Sequence, residues 1–122
     1  MAALVEAKDP WRQAVTLSEE TWEKHIVCEH PEMGAMASRD EILSCISQTI
    51  SNPLYICQDA IHSNRRNFYL PFILPKPYQR SYLKVVVEYR KRWFGLKGYV
   101  RTAYSTTALK PGEKIIWQRK HQ

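Results

Sequence analysis

SYLKVVVEYRKRWFGLKGYVRTAYST, residues 81–106, decides how the fold reads. In its first half Leu83, Val85, Val87 and Tyr89 fall on one side of an extended chain, and Tyr82, Lys84, Val86 and Glu88 on the other. That is the two-residue period of a strand, with the first set facing the core. The second half has no plainly apolar side: Val100, Thr102, Tyr104 and Thr106 share one face, and Tyr99, Arg101, Ala103 and Ser105 the other. A strand mixed on both faces is expected to border a cleft, where polar groups are kept for chemistry rather than packing.

Around this pair lie further short runs of β-branched and aromatic residues bounded by turn residues: LYICQDA (54–60), NFYLPFI (67–73) and KIIWQR (114–119). They complete a meander of four or five antiparallel strands, SYLKVVVEYR (81–90) and GYVRTAYST (98–106) being the other two. Upstream the period changes. Thr16 with Glu19 has the form of a capping box ahead of LSEETWEKHIVCEH, a helix that Pro31 ends or kinks. Ser38 with Glu41 forms a second box, opening DEILSCISQTIS, whose Leu43, Ile46 and Ile50 share a helical face. The expected fold is therefore α+β: two N-terminal helices followed by a four- to five-stranded antiparallel β-sheet. Residues 1–122 form a single domain, with an N-terminal arm (1–15), a helical part (16–52) and the sheet (53–122).

Composition narrows the function. The net charge of +6 divides unevenly: residues 1–60 hold ten acidic and four basic residues, and residues 61–122 hold fourteen basic residues against Glu88 and Glu113. The basic half also carries Phe68, Tyr69, Phe72, Tyr78, Tyr82, Tyr89, Trp93, Phe94, Tyr99, Tyr104 and Trp117. Cations attract phosphates and aromatic faces stack on unpaired bases, so a single-stranded nucleic-acid surface is expected. A sheet with core aromatics and a solvated basic face would give the same composition. No long apolar run or basic-then-apolar leader appears, so the expected location is cytoplasmic, without membrane contact. Cys28, Cys45 and Cys57 fit neither a zinc ribbon nor a redox motif, and buried reduced thiols are expected. No HExxH, paired CxxC, GxGxxG or P-loop occurs, so no metal and no nucleotide cofactor is expected.

RNA cleavage without metal needs a base for the ribose 2′-hydroxyl, an acid for the leaving 5′-oxygen and a cation for the crowded phosphate. Imidazole changes charge near neutral pH, and His25 sits at the edge of the first helix's packing face, beside Trp22 and Ile26. A surface or packing histidine would occupy the same place. Lys84 and Arg101, cations within strands, are the candidate phosphate clamps. Thr102 and Tyr104 are candidate phosphate hydrogen-bond donors. Glu88 is a candidate base but more simply a salt-bridge partner, and His30, before Pro31, is a second histidine candidate or a helix-end charge. Arg65, Arg66, Arg90, Lys91, Arg92 and Lys97 are the candidate RNA-guiding cations.

The combination of Thr16, Trp22, His25-Ile26 and His30-Pro31-Glu32-Met33 with the strands YLKVVVEY and GYVRTAY resembles the phage-associated nucleases of the barnase, EndoU, colicin and RelE-like superfamily, over residues 16–118. The resemblance implies one or two helices ahead of a four-stranded antiparallel sheet and a metal-independent ribonuclease of the toxin or phage-effector kind. It implies catalysis by His25, phosphate binding by Lys84 and completion of the site by Thr102 or Tyr104. The expected substrate is single-stranded RNA or a tRNA loop, cut to a 2′,3′-cyclic phosphate, and an acidic inhibitor or antitoxin is a possible protein partner. Two other readings compete: a non-catalytic RNA- or protein-binding module, and a self-complementary oligomer joined through the oppositely charged halves.

Overall fold

In the computed structural model, which describes residues 3–120, the chain runs β1 (Val5–Lys8), β2 (Ala14–Leu17), α1 (Glu19–Thr21) continuing as a π-helix (Trp22–Val27), α2 (Pro31–Met36), α3 (Arg39–Ser51), β3 (Tyr55–Gln58), β4 (Arg65–Pro71), β5 (Tyr82–Arg92), β6 (Gly95–Thr106) and β7 (Lys114–Gln118). The strands form one sheet in the order β1-β2-β6-β5-β4-β3-β7. Every neighbouring pair is antiparallel except β2 and β6. The class is α+β as expected, but the sheet is mixed and seven-stranded rather than antiparallel with four or five strands. All five expected strands are present. The two additional ones come from residues 5–17, largely the expected N-terminal arm, where each strand is only four residues long and carries too little alternation to be read. Their hairpin is closed by Asp9, whose Oδ1 accepts from the amides of Trp11 (2.9 Å) and Gln13 (2.8 Å), with Arg12 at φ 64°.

The helical part also departs from two simple helices. Ser18, not Thr16, caps the first, accepting from the Thr21 amide at 3.1 Å. Thr16 is instead a β2 residue opposite Tyr99. The helix then widens: the Cys28 amide donates to the Glu23 carbonyl five residues back at 3.2 Å, and Trp22 and Ile26 are both buried. Pro31 does not merely stop this helix but starts α2 as one of its first residues, where a missing N–H costs nothing. Ser38 caps α3 as its sequence predicts, accepting from the Glu41 amide at 3.3 Å while its hydroxyl donates to Glu41 Oε1 at 3.0 Å. The buried side of α3 is Ile42, Cys45, Ile46, Thr49 and Ile50, with Leu43 only half-buried on the flank.

That side packs on one face of the sheet, where Ile56, Phe68, Leu83, Val85, Val87, Val100 and Ala103 join one core with Val15, Leu17, Ile26 and Met33. Leu83, Val85, Val87 and Tyr89 are core residues, as their alternation predicts. The ambiguity of the neighbouring strand has a structural cause. Val86 pairs with Thr102 and Val87 with Val100, so Arg101 is an extra, bulged residue. The bulge shifts the alternation by one, placing Val100 and Ala103 in the core and leaving Tyr99, Thr102 and Tyr104 on the other face.

Gly98 lies where β6 is flanked on both sides. A Cβ there would stand 2.7 Å from Val87 Cγ1 and 2.9 Å from Val15 Cγ2. Gly98→Ala is expected to destabilise the fold by about 1–3 kcal/mol, measurable as a lowered urea midpoint with unchanged slope. Among the described residues no helix is long and apolar enough to cross a membrane.

Candidate functional site

The face of the sheet away from α3 is polar. Along β5 and β6 it presents the register pairs Lys84/Tyr104, Val86/Thr102, Glu88/Tyr99 and Arg90/Lys97. On β4 it continues as Tyr69, Asn67 and Arg65, opposite Lys84, Val86 and Glu88. The helical stretch between residues 22 and 30 docks at the β6 side of this face. Thr102 Oγ1 donates to the His25 carbonyl at 2.8 Å, and the His30 ring stacks on Tyr104 with centroids 4.5 Å apart and planes at 21°. Residues two apart on a strand are ~6.6 Å apart along its axis, so the His25 main chain and the His30 ring are brought to successive positions of one face. Thr102 and Tyr104, expected as phosphate hydrogen-bond donors, do this joining: the Thr102 hydroxyl is engaged by the His25 carbonyl and the Tyr104 ring by His30.

The two imidazoles are placed differently. The His25 side chain is 43% exposed, with Nδ1 3.2 Å from Glu29 Oε1. His30 is the more enclosed at 28%, with Nδ1 3.6 Å from Glu32 Oε1. His25 lies within the π-helix, a rare conformation that recurs at functional sites.

Lys84 is not an open phosphate clamp. Its side chain is 4% exposed, with Nζ 3.2 Å from the carboxylate of Glu113, itself fully buried. Burial alone would push the Lys84 ammonium down, but the Tyr69 and Tyr104 phenols outweigh it and hold the group above its ordinary value. Glu113 Oε1 accepts from Asn67 Nδ2 (2.8 Å) and Tyr69 OH (2.9 Å), and Oε2 from the Lys110 amide (3.2 Å). Asn67 Nδ2 also donates to Asp59 at 3.0 Å. Burial works against the Asp59 carboxylate, yet the amides of His62 and Ile61 and the Asn67 side chain bring it down to about 2. Burial also raises the Cys57 thiol to about 11, helped by Glu113. This network ties the 107–113 loop over the strands, and only the solitary acids of a basic half hint at it. All three cysteines are free; Cys45 and Cys57 are buried, whereas Cys28 is exposed.

Further along the same face a cleft of about 430 Å³ is lined by Thr16, Thr21, Glu88, Arg90, Tyr99 and Arg101, among others. Arg101 is exposed there because the bulge frees it from the ladder. Glu88 is ion-paired, with Oε2 2.7 Å from Arg90 Nε and Oε1 3.8 Å from Arg65 Nε, and Arg90 holds its carboxyl below the ordinary value. Arg65, Arg90, Arg92 and Lys97 thus belong to this face. Arg66 does not: its guanidinium lies between the Trp11 and Tyr89 rings, 4.5 Å from each, on the opposite side. Lys91 pairs with Leu96 and alternates to that side too.

Among the described residues no three His, Cys, Asp or Glu side chains gather as a metal-ligand group. The chain matches no protein-family model, no curated protein and no solved structure.

Proposed function

We propose that this chain is a metal-independent endoribonuclease acting on single-stranded RNA or a tRNA loop, of the barnase, EndoU, colicin and RelE-like kind that its sequence resembles. The observation that carries the reading is the docking of His25 and His30 onto Thr102 and Tyr104, next to the exposed, bulged Arg101. One imidazole takes the proton of the ribose 2′-hydroxyl as its oxygen attacks phosphorus. The other gives a proton to the departing 5′-oxygen, leaving a 2′,3′-cyclic phosphate. Arg101 and Arg90 offset the charge that builds on the phosphate, and Lys84 acts through Tyr104, whose ring centroid is 5.5 Å from its Nζ, rather than on the substrate. Incubation with an RNA oligonucleotide and its all-deoxy counterpart in EDTA tests this. Cleavage of the RNA alone is expected, and an uncut or equally cut pair would overturn it.

The pairing of Lys84 with Glu113 favours a second reading, a non-catalytic RNA-binding module, since the cation best placed between the strands is already neutralised. It predicts binding of the RNA in EDTA with no turnover.

A further inference from the structure

The hairpin joining β5 to β6 projects past its neighbours. Pairing of β4 with β5 ends at Arg65 and Glu88, and pairing of β2 with β6 at Val15 and Gly98, whereas β5 and β6 continue to Arg92 and Gly95. The two residues of the turn are aromatic. Trp93 is 95% exposed and Phe94 55%, their rings meeting edge to face at 5.4 Å. Burying such a side chain stabilises a fold, so leaving Trp93 in water serves nothing in this molecule. Its surroundings say what it meets. Between Glu88 and Glu113 the sequence holds no acidic residue. Arg90, Arg92 and Lys97 gather on the Tyr99 ring, 5.3–5.6 Å from its centroid, and the Tyr99 hydroxyl accepts from Arg92 at 2.7 Å. These three cations lie on one side of the ribbon, the side of Thr102 and Tyr104, with Lys91 alone on the other, so the charge near the tip is concentrated on the face that leads to the cleft.

We infer that Trp93 and Phe94 form a base-stacking finger for single-stranded RNA: an unpaired base stacks on Trp93 while the following phosphates run over Arg92, Lys97 and Arg90 towards the cleft. The inference rests on the reading of this face as RNA-acting. From Gly95 to Tyr104 the strand covers ~30 Å at ~3.4 Å per residue, so the finger engages a strand of several nucleotides and not a dinucleotide.

The test uses the full chain and a non-cleavable 2′-O-methyl 16-mer, so that binding is measured whether or not the protein cuts. An abasic strand of the same length keeps the phosphates and removes the bases. Trp93→Ala is expected to weaken 16-mer binding roughly 5- to 100-fold and Trp93→Phe to retain most of it, with no effect of either on the abasic strand. Equal losses on both strands, or none on the 16-mer, would overturn the finger. So would Trp93→Ala abolishing co-sedimentation with phosphatidylserine vesicles while leaving RNA binding intact, which would give the tip to a membrane. A protein that cuts nothing yet shows the Trp93 effect keeps the finger and loses the nuclease reading; one that cuts RNA without that effect does the reverse.

Discussion

His30→Phe is expected to lower the rate constant for RNA cleavage by ~10²–10⁴-fold, the usual worth of a positioned general acid or base. Phenylalanine keeps a flat ring against Tyr104, whose stacking with His30 at 4.5 Å holds the start of α2 to the sheet, but it can neither take nor give a proton. The urea midpoint should therefore stay near wild type while activity collapses. His25→Ala should behave alike, because its side chain is partly in water and bonded only to Glu29 within its own helix turn. The Thr102 bond, made to the main chain, survives either change. Each variant should also remove one limb of the pH–rate profile, which a loss of packing alone would not do. Full activity in His30→Phe would make the ring a packing element, and unfolding of His25→Ala would assign that residue to the fold.

Glu113→Ala should lower stability by about 3–5 kcal/mol by urea denaturation. The substitution strands the Lys84 ammonium in a site only 4% exposed and takes the acceptor from Asn67, Tyr69 and the Lys110 amide together. Domains of this size are stable by only ~5–15 kcal/mol, so the variant sits near the edge of folding. A second variant separates the two causes: Lys84→Met with Glu113→Leu removes both charges and should recover the part of the loss due to the stranded ammonium, while Asn67, Tyr69 and the Lys110 amide remain without their acceptor. Because the pair is shielded from solvent, 0.5 M salt should change the wild-type midpoint little. A cost below about 1 kcal/mol for Glu113→Ala would place this pair among surface ion pairs.

The parts of the molecule legible in the sequence are those whose order is local. The five expected strands, the Ser38 cap of α3 and the core side of 83–89 follow from period and turn chemistry over a few residues. What was hidden depends on distant partners. Nothing near residues 5–17 announces that Thr16 will pair with Tyr99 or that Tyr89 will donate to Asp9 at 2.7 Å. The bulge at Arg101 was visible only as an awkward pattern, because one extra residue exchanges the faces. Lys84 read as a cation in want of a phosphate because its partner lies 29 residues on, across a loop. His25 and His30 stood out as residue types, but that Thr102 and Tyr104 would receive them is a property of the docked helix. The acidic and basic halves of the sequence are joined in one sheet, since β2 pairs with β6, and β3 with both β4 and β7.

The most direct measurement of the central claim is the chemistry of the product ends after wild-type protein acts on an RNA oligonucleotide in EDTA. A 2′,3′-cyclic phosphate on one fragment and a free 5′-hydroxyl on the other is the predicted result, both absent with His30→Phe. Fragments ending in 3′-hydroxyl and 5′-phosphate, or an RNA that stays bound and whole, would contradict it.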